Sequence, residues 1–192
     1  MSPTVSVPLL DTLGRALRIL DELAVPYALM GGIAMAAWGR LRATQDTDLL
    51  LGLSQVDSDR LLSALRQAGF KFQRDPPLTE IGGARLLQAA YAHPDHFLDV
   101  RTDLLLADHE FHKLAVRRAI PLQFDGLTIP VVTLEDLIVL KLAAGRVLDR
   151  VDAAEIYRAR KSQLELDYLR RAAASLGCEP ILDDLLAGRL GP

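Results

Sequence analysis

The segment TQDTDLLL places Asp46 and Asp48 one residue apart at the mouth of an apolar run. Residues two apart on a strand point to the same side, so a strand here presents both carboxylates on one face. Two like charges a few ångströms apart repel unless a proton or a cation relieves them. Hard divalent cations such as Mg²⁺ take oxygen ligands from one or two carboxylates and complete their shell with substrate phosphates. Taken alone, the pair fits a solvated turn ahead of a strand better than a metal site, because aspartate is common there. Two further features point to chemistry. Gly31 and Gly32 fall between an apolar strand-like segment, YALM, and a helix of small residues, IAMAAWG. Glycine lets a backbone approach a ligand, and a helix start can receive phosphate, although a tight turn also explains the pair. Asp99 interrupts FLDV in phase with Phe97 and Arg101. If that strand pairs beside Asp48, a third carboxylate joins the cluster. Three convergent carboxylates and a glycine turn describe a two-metal phosphoryl-transfer site.

The elements that must hold these residues follow from periodicity. Leu13, Leu17, Leu20 and Leu23 recur at helical spacing over 9–25, and Pro26 ends that helix. A strand is expected over 27–30, a helix from Gly31 to about Gly39, a strand over 47–53, and an amphipathic helix over 56–70 closed by Gly69. The stretch 71–93, with Pro76-Pro77 and Gly82-Gly83, reads as loops and one hairpin. HFLDVRTDLLL alternates like a strand, and PLQFDGLTIPVV reads as a hairpin turning at Asp125-Gly126. Beyond Pro130 the pattern is helical, with Thr133 placed to cap LEDLIVLKLAAGR and further helices near 149–160, 167–176 and 180–186. The expected fold is α+β, a mixed sheet flanked by helices over 1–132, with a helical subdomain over 133–192 packed on it.

At this point the chain resembles a family. GGIAMAAWGRLRATQDTDLLL is similar to the signature of the DNA polymerase β-type nucleotidyltransferase superfamily, a GG or GS turn opening a helix and an acidic DxD on the next strand. The RxTxDxDL form, with Arg42 and Thr44, looks closest to small bacterial members related to AbiEii toxin-type nucleotidyltransferases. The resemblance implies that Gly31 and Gly32, with Arg42 and Thr44, hold the nucleoside triphosphate. It implies that Asp46, Asp48 and Asp99 are the catalytic carboxylates. They would bind two Mg²⁺ ions, or Mn²⁺ in their place, with Asp99 deprotonating the acceptor hydroxyl or holding the metal that activates it. A second block, VVTLEDLIVLKLAAGRVLDRVDAAEIYR, resembles the Lys-containing helix of the same subgroup. There Lys141 and Arg146 would contact the triphosphate, and Asp149 and Asp152 would fix the helical subdomain or the basic side chains. Lys141 also stands out unaided. It is in phase with Leu134, Leu137 and Ile138, where a lysine must snorkel or meet an anion.

Other residues offer less. His93 and His96, and His109 and His112, are i,i+3 pairs, but Pro94 breaks the first and no Cys/His framework for zinc accompanies them. Cys178 reads as a packing residue. The clusters Lys113-Arg117-Arg118 and Arg158-Arg160-Lys161 fit solvated faces or an RNA backbone track. Composition sets the outer bounds. The chain has 192 residues, half of them hydrophobic, with a net charge of −3. That suits one compact domain and argues against bulk-electrostatic coating of nucleic acid. One cysteine, no basic leader and no apolar run near the roughly 18 residues of a membrane span point to a cytoplasmic protein without an anchor.

The activity so implied is metal-dependent transfer of a nucleoside monophosphate from an NTP to an acceptor hydroxyl. The toxin-like resemblance favours RNA, such as a tRNA end, with a separate antitoxin protein as partner. A small hydroxylated acceptor, an aminoglycoside or lincosamide, is the alternative enzyme reading. A nucleotide-binding module without catalysis is the alternative from another class.

Overall fold

In the computed structural model the described residues are 6–40, 44–52, 58–81, 84–94, 97 and 99–190. The expectation for Arg42 and that for His96 lie outside them. The chain divides into two compact units, 1–131 and 132–192.

The first unit opens with α1 (Val7–Glu22), whose Leu9, Leu13, Leu17 and Leu20 are buried at helical spacing. Strand β1 (Tyr27–Met30), helix α2 (Gly31–Ala37) and strand β2 (Asp46–Leu51) follow. Helix α3 (Ser58–Gln67) leads into three strands, β3 (Phe70–Phe72), β4 (Leu78–Ile81) and β5 (Ala84–Tyr91). Strand β6 (Val100–Leu106), helix α4 (Glu110–Arg118) and the hairpin β7 (Ile120–Phe124) and β8 (Leu127–Val131) complete the unit. The hairpin turns where expected, with Asp125 at φ 50° and Gly126 at φ 83°, the left-handed pair that a two-residue turn needs.

These strands form one mixed sheet in the order β3-β5-β6-β2-β1-β8-β7, with β4 also paired to β5. β2 runs antiparallel to β1 and parallel to β6, while β1 and β8 are parallel. Such a sheet is the α+β arrangement that the sequence implies. Two elements depart from expectation. The stretch read as loops and one hairpin contains β3, β4 and the eight-residue β5, which pairs along its length with β6. RLLQAAY does not alternate because β5 is an interior strand with Leu87, Ala89 and Ala90 all buried, so period 2 is absent from its sequence. The second departure is α4, which lies between HFLDVRTDLLL and PLQFDGLTIPVV, where the sequence reading placed no element.

The second unit is helical: α5 (Leu134–Ala144), α6 (Val147–Arg160), a 3₁₀ turn at Lys161–Gln163, α7 (Leu166–Ser175) and α8 (Glu179–Leu186). Thr133 caps α5, its Oγ1 accepting from the Asp136 backbone N–H at 3.2 Å, and Gly145 closes the helix at φ 69°. α5 packs against α6 and α7 and is buried around most of its circumference. Among the described residues no helix is long and apolar enough to cross a membrane.

Candidate active site

Asp46 and Asp48 lie on β2 with Thr47 between them buried in the opposite direction. The two carboxylates therefore share one face of the sheet. Thr47 ties the two strands together from behind, its hydroxyl donating to Thr102 Oγ1 at 2.8 Å. The parallel register sets what stands beside the aspartates: Arg101 is the Cα partner of Asp46, and Asp103 is the Cα partner of Asp48. Directly paired residues of neighbouring strands face the same way, about 4.8 Å apart. Across β6 on β5, Gln88 is the partner of Asp103, and its Nε2 donates to Asp103 Oδ1 at 3.4 Å. The face thus holds three carboxylates and one guanidinium.

Asp99 is not the carboxylate beside Asp48. The strand begins at Val100, so Asp99 precedes it, exposed, and Phe97 stands wholly in solvent. Four residue steps of extended chain, roughly 13 Å, lead from Asp99 to Asp103. The alternation that singled out Asp99 and Arg101 reaches Asp103 at the next step, which was the available signal. Phase alone does not choose among the three, since each is two residues from the next.

Gly31 and Gly32 are explained by these same aspartate-strand residues. Gly31 sits at φ +68°, and a Cβ on it would come within 2.0 Å of Asp48 Oδ2. A Cβ on Gly32 would lie 2.7 Å from Thr44 Oγ1. Asp48 and Thr44 therefore pack against the bare backbone where β1 turns into α2. The GG turn and the TxDxD strand are two halves of one contact.

The donor set of this face is all oxygen and suits a hard divalent cation, with Asp48 and Asp103 as register partners. Among the described residues, no three His, Cys, Asp or Glu side chains already converge at metal-holding distance. Asp46 instead meets a cation of the chain itself: Arg101 Nη2 lies 2.7 Å from its Oδ2.

In the helical unit, Lys141 meets its anions within the chain. Its Nζ donates to Asp149 Oδ1 and to Asp152 Oδ2, each at 2.8 Å, with the lysine side chain only 8% exposed. Arg146, 76% exposed, bonds the other oxygen of Asp149 through Nε. Burial alone would raise the Asp149 carboxyl, but the hydrogen bonds from Arg146 and Lys141 reverse that and hold it below the usual carboxylate range. Two buried acids and two bases form a balanced network joining α5 to α6.

The remaining candidates are placed away from such clusters. Val116 of α4 packs at Gly52, just past the carboxyl end of β2, so Arg117 lies toward that end. Six residues of strand, roughly 20 Å, separate Gly52 from Asp46. His109 caps α4 through Nδ1, which accepts from the Phe111 N–H at 3.1 Å. His112 is buried beside it, and His93 pairs with Asp11 at 3.4 Å. Cys178 is buried, its Sγ against the Ala173 carbonyl, and burial pushes its thiol up.

Comparison with known proteins adds three findings. The family model for nucleotidyl transferase AbiEii toxins of type IV toxin–antitoxin systems matches residues 15–172. A crystal structure of an antigenic nucleotidyltransferase-like protein from Paracoccidioides brasiliensis aligns with a TM-score of 0.55 at 17% identity, over 96% of this chain and 90% of that one. The solution structure of the antibiotic-resistance factor ANT(2'')-Ia aligns with a TM-score of 0.57 at 16% identity, over 93% of this chain and 96% of that one. At such identities the likeness is one of fold. No curated protein sequence matches.

Proposed function

Because the chain belongs to the AbiEii nucleotidyl transferase toxin family and is a nucleotidyltransferase, we propose that it transfers a nucleoside monophosphate from an NTP to a hydroxyl of RNA, a tRNA end foremost. An antitoxin protein would be its counterpart. The acceptor oxygen forms a bond to the α-phosphorus as the bond to the pyrophosphate oxygen breaks; pyrophosphate leaves and the hydroxyl proton passes to a base.

The observation that carries this reading is the β2–β6 register, which sets Asp103 beside Asp48 on the face that also holds Asp46. Enzymes of this kind use an NTP and divalent metals. Asp46, Asp48 and Asp103 would hold two Mg²⁺ ions, or Mn²⁺, which when bound polarise the α-phosphate and neutralise the leaving pyrophosphate. Asp103 would take the role that the sequence reading gave to Asp99, deprotonating the acceptor hydroxyl or holding the metal that activates it. The phosphate contacts of Gly31 and Gly32 rest on the resemblance of their turn; in this structure the glycines let Asp48 and Thr44 pack against that turn. The triphosphate contacts of Lys141 and Arg146 rest on the resemblance of their helix. Within it, Lys141 is the group that fixes Asp149, and Asp149 in turn orients the exposed Arg146 guanidinium.

The test is transfer from each of four α-labelled NTPs with Mg²⁺ to total RNA, beside a panel of aminoglycosides and lincosamides. Label should appear on a discrete RNA species, vanish in Asp48→Asn and Asp103→Asn, and persist in Asp99→Asn. Full transfer by Asp48→Asn would remove the carboxylate-site reading, and label on a drug would replace RNA as the acceptor.

A further inference from the structure

The acidic face carries its own cation. Arg101 is the register partner of Asp46, and its side chain lies across the strand gap with Nη2 2.7 Å from Asp46 Oδ2. Its Nε is 3.8 Å from Asp103 Oδ1 on its own strand. One guanidinium thus reaches two of the three carboxylates, from β2 and from β6. We propose that Arg101 is the resident counter-ion of this face: it holds Asp46 while no metal is bound and is displaced when a divalent cation arrives with the nucleotide. The proposal rests on the nucleotidyltransferase reading of the face.

The physical case has three parts. Carboxylates crowded on one sheet face repel, and a positive charge among them relieves the repulsion without any ligand. That same charge opposes a divalent cation seeking the same oxygens, so metal alone competes against Arg101. The pair is also built to be released. Arg101 is 44% exposed and Asp46 37%, and ion pairs so wetted hold weakly. A triphosphate shifts the balance because it adds negative charge and offers the freed guanidinium a planar, bidentate anion. Arg101 is therefore a positioning residue that makes metal binding depend on the nucleotide.

Metal affinity without turnover tests this directly. Mn²⁺ would be titrated into the wild type, Arg101→Gln and Arg101→Lys, alone and with a non-hydrolysable NTP analogue, following free Mn²⁺ by its paramagnetic resonance signal. Arg101→Gln should bind Mn²⁺ alone roughly tenfold more tightly than the wild type, the scale expected from removing one positive charge beside a divalent cation in a water-like dielectric. Arg101→Lys, which keeps the charge, should behave as the wild type, and Asp46→Asn should abolish the gain from Arg101→Gln. Equal Mn²⁺ affinity in the wild type and Arg101→Gln, with analogue-dependent binding intact, overturns the counter-ion role alone. Absence of Mn²⁺ binding in every form, with or without the analogue, overturns the reading of the face and this role with it.

Discussion

Asp48 shows how one residue constrains another that is distant in chemical character. Its carboxylate fills the space where a side chain on Gly31 would stand, and Gly31 holds a left-handed backbone, φ +68°, at that point. Gly31→Ala therefore meets two obstacles, a backbone conformation that L-residues disfavour and a Cβ 2.0 Å from Asp48 Oδ2. The expected outcome is a loss of about 1–3 kcal/mol in urea unfolding. Label transfer should fall roughly a hundredfold, as when a reacting group is misplaced by about an ångström. A variant with wild-type transfer would show that Asp48 does not need that space. The sequence displayed both the glycines and the aspartates, and their order suggested a shared site. It could not show that Asp48 and Thr44 themselves occupy the room the glycines leave.

At the scale of the element, α4 carries a pH dependence. Its His112 is buried, with Nδ1 lacking a hydrogen-bond partner. Desolvation, reinforced by neighbouring His109 and opposed by Asp108, lowers its pKa from 6.5 to about 4. Above 6.5 the imidazole is neutral in both folded and unfolded chains and folding carries no proton penalty. As pH falls from 6.5 toward 4 the unfolded chain takes up the proton first, so stability declines through that window. The loss approaches roughly 3 kcal/mol at its lower end. Urea midpoints measured across that range should fall in the wild type, and His112→Gln should flatten the part of the slope that this group supplies. An unchanged slope in the variant would assign the dependence to other groups. The sequence reading found the histidines but not their helix. His109 is an unusual cap, and a nine-residue helix following directly on a strand leaves little periodicity to read.

For the molecule as a whole, the distribution of charge matters more than its total. The carboxylate face lies at the entrance of β2, whereas Val116, next to Arg117 in α4, stands at Gly52 past the far end of that strand, roughly 20 Å along it. That separation exceeds two Debye lengths, about 8 Å each at physiological ionic strength. Lys113→Ala with Arg117→Ala should accordingly leave the rate of label transfer within about twofold of the wild type at that salt. A larger loss would place an acceptor across α4 and revive the basic cluster as a binding track. The helical unit distributes charge differently, sealing two acids and a lysine between α5 and α6 with Arg146 at the surface.

What the sequence determined by itself was everything set by local periodicity and turn chemistry. Asp46 and Asp48 share a face because strands repeat every two residues, the hairpin turns at Asp125-Gly126, and Thr133 caps α5. These features depend on neighbours within a few positions, so they are written in the order of residues. Tertiary structure alone decided which of the in-phase residues Asp99, Arg101 and Asp103 stands beside Asp48, and that Lys141 directs its ammonium to both Asp149 and Asp152. The first is a relation between strands far apart in the chain, and the second depends on how α5 packs against the helix that follows it. Register between two parallel strands is fixed by the packing of both faces of a sheet, here with Thr47 against Thr102 and Leu49 beside Leu104, and no single strand contains that information.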